Sequence, residues 1–93
     1  MFRVTVKCER IALATWPNAL EDVRAEFQAR PWQRIVDLRW SGDTLLLTAE
    51  NDYDSTGETL ADEFSDAVAA YAPGTPGYRV DVVSVEALGD TAA

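Results

Sequence analysis

The densest run of chemically capable side chains lies between Glu50 and Asp66. Seven carboxylates (Glu50, Asp52, Asp54, Glu58, Asp62, Glu63 and Asp66) occur there with no Lys or Arg among them. Two local chemistries fit such a run. Asp52, Asp54, Thr56, Gly57 and Glu63 fall at positions 1, 3, 5, 6 and 12 of the calcium-loop pattern D-x-D-x-[DN]-G-x5-E, with Thr56 where an acid or amide is required. Alternatively, Ser55 and Glu58 make a Ser-x-x-Glu capping box that starts a helix at Thr56. The two exclude one another, because Glu63 carried up that helix cannot close around an ion held by Asp52 and Asp54. Glu58 completing the box and Leu60 opening an apolar stripe favour the helix. No metal site and no cofactor are therefore expected.

On that helix the acids line up. At about 100° per residue, Glu58, Asp62 and Asp66 sit at about 0°, 40° and 80°, nearly opposite the apolar stripe Leu60, Phe64, Ala67, Val68 and Tyr71. Each i,i+4 acid pair costs roughly 0.2–0.5 kcal/mol. Glu58, near the helix N-terminus, recovers roughly 0.3–1 kcal/mol from the helix dipole, a gain that fades by Asp62 and Asp66. Acids with no local stabilising role point to a binding surface, and Asp52, Asp54, Glu58, Asp62 and Asp66 are the expected partner-binding residues.

Other chemistry is excluded by what the chain of 93 residues lacks. It has no histidine, hence no Ser-His-Asp triad, Cys-His dyad or imidazole-bound zinc. Cys8 stands alone, so there is no internal disulfide and no CxxC motif. Neither a Walker loop nor GxGxxG occurs; Gly74 and Gly77 belong to a Pro-Gly turn over 73–77. Acid-base work would fall to carboxylates or to Tyr53, Tyr71 and Tyr78, and no pair has diagnostic spacing.

The charge is also uneven. Residues 1–41 hold seven bases and five acids (+2), residues 42–93 eleven acids and one base (−10), which sum to the net −8. Such a field repels nucleic acid and anionic membranes and favours a basic protein partner. Acids added only for solubility should instead be spread over the whole surface.

The elements that must position these residues follow from periodicity. Phe2, Val4, Val6 and Cys8 alternate with Arg3, Thr5, Lys7 and Glu9, the mark of a half-buried strand. Trp16-Pro17-Asn18 opens a helix, with Asn18 and Glu21 as a capping box, Leu20, Val23 and Phe27 as the buried stripe, and Pro31 as the stop. A strand over 33–40 places Val36, Leu38 and Trp40 inward against Ile35, Asp37 and Arg39. Ser41-Gly42-Asp43 turns the chain into a strand over 44–50. The acidic helix comes next and ends at Pro73, a valine-rich strand covers 78–85, and 89–93 is a frayed tail.

The order β-α-β-β-α-β with right-handed crossovers predicts an α+β, ferredoxin-like sandwich over residues 1–88. Its antiparallel sheet has four strands in the order 4-1-3-2, with both helices on one face. The open face should carry Arg3, Thr5, Lys7, Ile35, Asp37, Arg39, Thr44, Leu46 and Thr48, with Arg79 and Asp81 as further members. It has no aromatics on which bases could stack, so RNA binding is not expected; cross-strand charge pairs or a homodimer surface are. Trp16, Trp32 and Trp40 are expected to pack, Trp32 over a sheet end, and Cys8 to be a buried, inert thiol. The alternating N-terminus does not resemble a secretory signal, no apolar run approaches a membrane span, and a cytoplasmic location is expected.

Two functions remain open. One is a non-catalytic acidic binding protein, such as an inhibitor, immunity protein or antitoxin whose carboxylates mimic phosphates. The other is a dimeric small-ligand-binding or cofactor-free enzyme domain with a pocket enclosed by the sheets.

Overall fold

The computed structural model describes residues 1–11, 16–71 and 78–89. The elements are β1 (Phe2–Glu9), α1 (Ala19–Gln28), β2 (Arg34–Ser41), β3 (Thr44–Asn51), α2 (Glu58–Tyr71) and β4 (Arg79–Ala87). The strands form one antiparallel sheet in the order β2-β3-β1-β4, an α+β fold with β3 and β1 central and β2 and β4 at the edges. Counted from the β4 edge, the neighbours run 4-1-3-2. The 73–77 turn and residues 90–93 of the expected tail lie outside the described residues.

Period-two alternation does what it should in the central strands. Val4, Val6 and Cys8 of β1 and Leu45, Leu47 and Ala49 of β3 are buried. They meet Val23 and Phe27 of α1 and Leu60, Phe64 and Val68 of α2 in a single core, so both helices cover the same side of the sheet. Each fully buried Val, Leu or Phe side chain contributes roughly 1.5–3 kcal/mol relative to exposure. That burial is what fixes the rotation of α2 and hence which of its side chains face water.

The uncovered side of the sheet is a row of charge pairs. Arg3 binds Glu50 on β3 at 2.8 Å and approaches Glu86 on β4 at 3.8 Å, while Arg34 on β2 lies 3.7 Å from Glu50. A ladder Arg34–Glu50–Arg3–Glu86 thereby crosses all four strands. Beside it the Thr5 and Thr48 hydroxyls share a hydrogen bond of 2.9 Å. Arg39–Asp37, Arg79–Asp81 and Lys7–Glu9 pair within their own strands.

The edge strands depart from simple alternation, because each carries a bulge. On β2 the register slips between Ile35 and Asp37, with Ile35 opposite Ala49 and Leu38 opposite Leu47. Ile35, Leu38 and Trp40 therefore pack inward and Val36 is pushed out, 46% exposed, reversing the expected places of Ile35 and Val36. On β4 the slip falls between the partners of Thr5 and Val6, so that Val83 is the extra, exposed residue. At the β2–β3 turn Gly42 has φ +64°, the positive angle that the first central position of a two-residue hairpin loop requires.

Trp16 packs as expected: it is buried, stacks on Tyr71 with ring centroids 5.9 Å apart, and donates its indole N–H to Asp22 at 2.8 Å. Two other expectations fail. Asn18 sits at the N-cap of α1 but its side chain makes no cap hydrogen bond, so the Asn18/Glu21 box does not form. Trp32 does not bury itself over a sheet end and is 50% exposed.

Candidate functional site

The loop joining β3 to α2 decides how the acidic segment is presented. Asn51, buried at the end of β3, accepts the backbone N–H of Tyr53 (3.1 Å) and of Asp54 (2.7 Å) on its side-chain oxygen. This turn drives Asp54 inward, where it is 3% exposed. Its Oδ1 accepts N–H groups from Gly57 (2.9 Å) and Thr59 (3.3 Å), and its Oδ2 accepts that of Leu60 (2.9 Å). Asp54 is thus the cap of α2, satisfying donors that the first helical turn leaves without partners.

Two expectations are corrected here. Ser55 does not cap, and the helix begins at Glu58 rather than Thr56. Asp54 does not belong to an exposed binding surface, because both of its oxygens are occupied from within. Gly57 explains the offset. It has φ +81°, and a Cβ there would stand 2.8 Å from a Val82 methyl and 3.0 Å from one of Val4. Only glycine lets the chain pass this close to β1 and β4.

On α2 the predicted acids Glu58, Asp62 and Asp66 are placed as the helical angles imply, and Asp52 lies in the loop before it. Asp52, Glu58, Asp62 and Asp66 are all exposed, and none takes part in an ion pair among the described residues. Of the seven cations in residues 1–41, Arg3, Lys7, Arg34 and Arg39 are paired on the sheet and Arg30 at Glu63 and Glu26, while Arg10 and Arg24 form no ion pair among the described residues. Glu58, Asp62 and Asp66 span about 12 Å along the helix axis.

Glu63 is not among the expected partner-binding residues, yet it organises the neighbouring surface. At about 140° on the same helical wheel it lies between the acidic and apolar stripes. Arg30 binds it at 2.9 Å and also reaches Glu26 at 3.1 Å. The Gln33 amide donates to Glu63 (3.0 Å) and to the Tyr53 hydroxyl (3.2 Å), and its oxygen accepts from buried Asn51 (3.1 Å). The Trp32 indole N–H points at both Glu63 oxygens, at 3.3 and 3.4 Å. The end of α1, the start of β2, the β3–α2 loop and α2 are thereby tied through one carboxylate. Nothing in the spacing of Trp32, Gln33, Asn51, Tyr53 and Glu63 announces this, since the contacts join residues up to 31 positions apart.

This arrangement also disposes of the calcium-loop spacing. Asp54 is consumed by the helix cap and Glu63 by Arg30 and Gln33, so the two cannot converge on one ion with Asp52. The thiol and two of the phenols are held in their protonated forms. Burial, with the charge of Glu9 added, pushes the Cys8 thiol up to about 11. Partial desolvation, then Glu63 and Asp54, raise the Tyr53 hydroxyl, and desolvation followed by Glu26 raises that of Tyr71, so both phenols stay protonated near neutral pH.

A shallow cleft of about 330 Å³ adjoins this arrangement at Gln33, between α1 and the start of β2, lined by Arg24, Phe27, Gln28, Pro31, Gln33 and Ile35. It opens on the helix side and not on the uncovered face of the sheet. No helix among the described residues is long and apolar enough to cross a membrane. Comparison of the sequence with known protein families finds no match, and comparison with curated proteins finds no relative.

Proposed function

We propose that the chain is a small, acidic, non-catalytic binding protein of ferredoxin-like architecture that docks a basic protein partner through α2 and the loop before it. Asp52, Glu58, Asp62 and Asp66 provide the charged surface, while Asp54 holds the helix that carries it. One observation carries the reading: among the described residues these four exposed carboxylates form no ion pair, although six of the chain's eight Lys and Arg residues are paired with other acids.

Acids held in a rigid row on a helix can stand in for the phosphates that a basic cleft was built to receive. That suits an inhibitor, an immunity protein or an antitoxin. Complementary charge accelerates encounter at low salt, and apolar contacts then set the dissociation rate. The free Cys8 thiol fits a reducing, cytoplasmic setting. The alternative of a sheet-enclosed ligand pocket in a dimer draws no support from an uncovered face occupied by the Arg34–Glu50–Arg3–Glu86 ladder.

The test is affinity capture at low and high salt with the wild-type chain and with an Asp62→Lys, Asp66→Lys double variant. A basic protein should be retained by the wild type at low salt, and its association should slow and lose its salt dependence with the variant. Association of the double variant at the wild-type rate would sink the proposal.

A further inference from the structure

The largest exposed aromatic side chains among the described residues, apart from Tyr71 stacked on Trp16, are Trp32 and Tyr53, at 50% and 45% exposure. Large aromatics left half in water need an explanation, since burying each would stabilise the fold. Neither is loose. The indole N–H of Trp32 is held by Glu63, and the Tyr53 hydroxyl accepts from Gln33 with Glu63 Oε1 3.5 Å away. Glu63 is in turn fixed by Arg30, and Gln33 by buried Asn51. Their polar tips are tied to Glu63 and Gln33, and both residues remain about half exposed with their rings available at the surface. Rigid rings of this kind bind at little entropic cost, which is why Trp and Tyr dominate interface hot spots.

The charge around them selects what they bind. Arg30 is shared between Glu63 and Glu26, and the acids near the rings that have no ion pair at all among the described residues are Asp52, adjacent to Tyr53 in the chain, and Asp62 and Asp66, one residue before and three after Glu63 on α2. An aromatic face bordered by free carboxylates favours a cation. Arginine suits it better than lysine, because the guanidinium is planar, weakly hydrated and able to stack while its N–H groups reach a carboxylate. The same chain already sets Arg30 over the Phe27 ring at 5.5 Å.

We infer that Trp32 and Tyr53 are the affinity anchor of the acidic surface and seat an arginine side chain of the basic partner on their ring faces. The inference rests on the docking proposed above and adds to it the residues that set the lifetime of the complex.

Two capped peptides, hexa-arginine and hexa-lysine, serve as probes, titrated into 15N-labelled protein at low salt. The anchor predicts that the Trp32 indole and Tyr53 amide signals move together with those of Asp62 and Asp66, and that hexa-arginine binds more tightly than hexa-lysine. Removing either ring (Trp32→Ala or Tyr53→Ala) should weaken hexa-arginine by about three- to tenfold, whereas Tyr53→Phe, which keeps the ring, should stay close to the wild type. An unchanged amide spectrum away from the substitution shows that each variant is folded. Binding that moves only α2 signals, with equal affinity for the two peptides, overturns the anchor and leaves the acidic surface standing. If neither peptide binds, the acidic surface fails and the anchor with it.

Discussion

Replacing Asp54 by alanine separates a structural carboxylate from the exposed ones around it, and its cost can be built from the contacts. The side chain accepts the N–H groups of Gly57, Thr59 and Leu60, the first and last of them buried. Loss of an N-cap side chain costs about 0.5–2 kcal/mol. Leaving buried donors without partners adds about 1–3 kcal/mol. Asp54→Ala should therefore destabilise the fold by about 2–4 kcal/mol, a large part of the roughly 5–15 kcal/mol that holds a small domain together. Asp54→Asn keeps an oxygen for Gly57 and Thr59 but turns an NH2 group against the N–H of Leu60, and should fall about midway. Ser55→Ala, at the residue that spacing alone nominates as the cap, should change stability by less than about 0.5 kcal/mol. Urea unfolding followed by far-UV circular dichroism measures all three. Equal losses for Ser55→Ala and Asp54→Ala, or an Asp54→Ala variant as stable as the wild type, would refute the cap and return Asp54 to the set of surface acids.

Two further outcomes follow from buried positions. Gly57→Ala combines a positive φ with a Cβ 2.8 Å from Val82 and 3.0 Å from Val4, so it should cost about 2–4 kcal/mol, whereas Gly42→Ala, with φ +64° but open space, should cost only about 1 kcal/mol; thermal unfolding midpoints order the two. The Cys8 thiol, raised from 9.0 to about 11 by burial and Glu9, contributes stability that is complete below pH 9 and lost as the pH climbs through 11. The loss, on the order of 2–3 kcal/mol, should appear as the difference between wild type and Cys8→Val in chemical unfolding across that range, and identical slopes for the two would remove the claim.

How far the fold is legible in the sequence depends on where each strand sits. β1 and β3 lie in the middle of the sheet with one face on the core, so a shift of one residue would bury charge, and their alternation reads correctly. β2 and β4 are edge strands, where a bulge is tolerated and flips the faces partway along. The trace it leaves is a gap of three between inward residues, Ile35 to Leu38 and Val82 to Val85, which is easily taken for alternation with the wrong phase. The start of α2 is ambiguous for a related reason. Asp54, Ser55 and Thr56 are all capping types, and the choice is made by Gly57, which alone can lie against Val4 and Val82. Once α2 is anchored, the angles of Glu58, Asp62 and Asp66 follow from the helix itself, and that part of the site is legible. Trp32 and Tyr53 are not, because their exposure depends on how two loops distant in sequence meet at Glu63.

Whether the acidity has a purpose beyond solubility turns on how it is distributed after internal uses are subtracted. Among the described residues the acids outside ion pairs are Glu21, Asp22, Asp43, Asp52, Asp54, Glu58, Asp62 and Asp66. Asp22 holds the Trp16 indole and Asp54 caps α2. Of the six that remain, Glu21 and Asp43 stand on α1 and in the β2–β3 turn, and four belong to α2 and the loop before it. The three on the helix span only about 12 Å, comparable to the screening length of roughly 8–10 Å in physiological salt, so a cationic surface meets them as one field. Repulsion within that field opposes folding, and a surface selected for solubility alone would relieve it by exchanging Asp62 or Asp66 with a paired position on the sheet. Its place on a helix fixed by Asp54, Gly57 and Glu63 is the feature on which the proposed docking of a cationic partner rests.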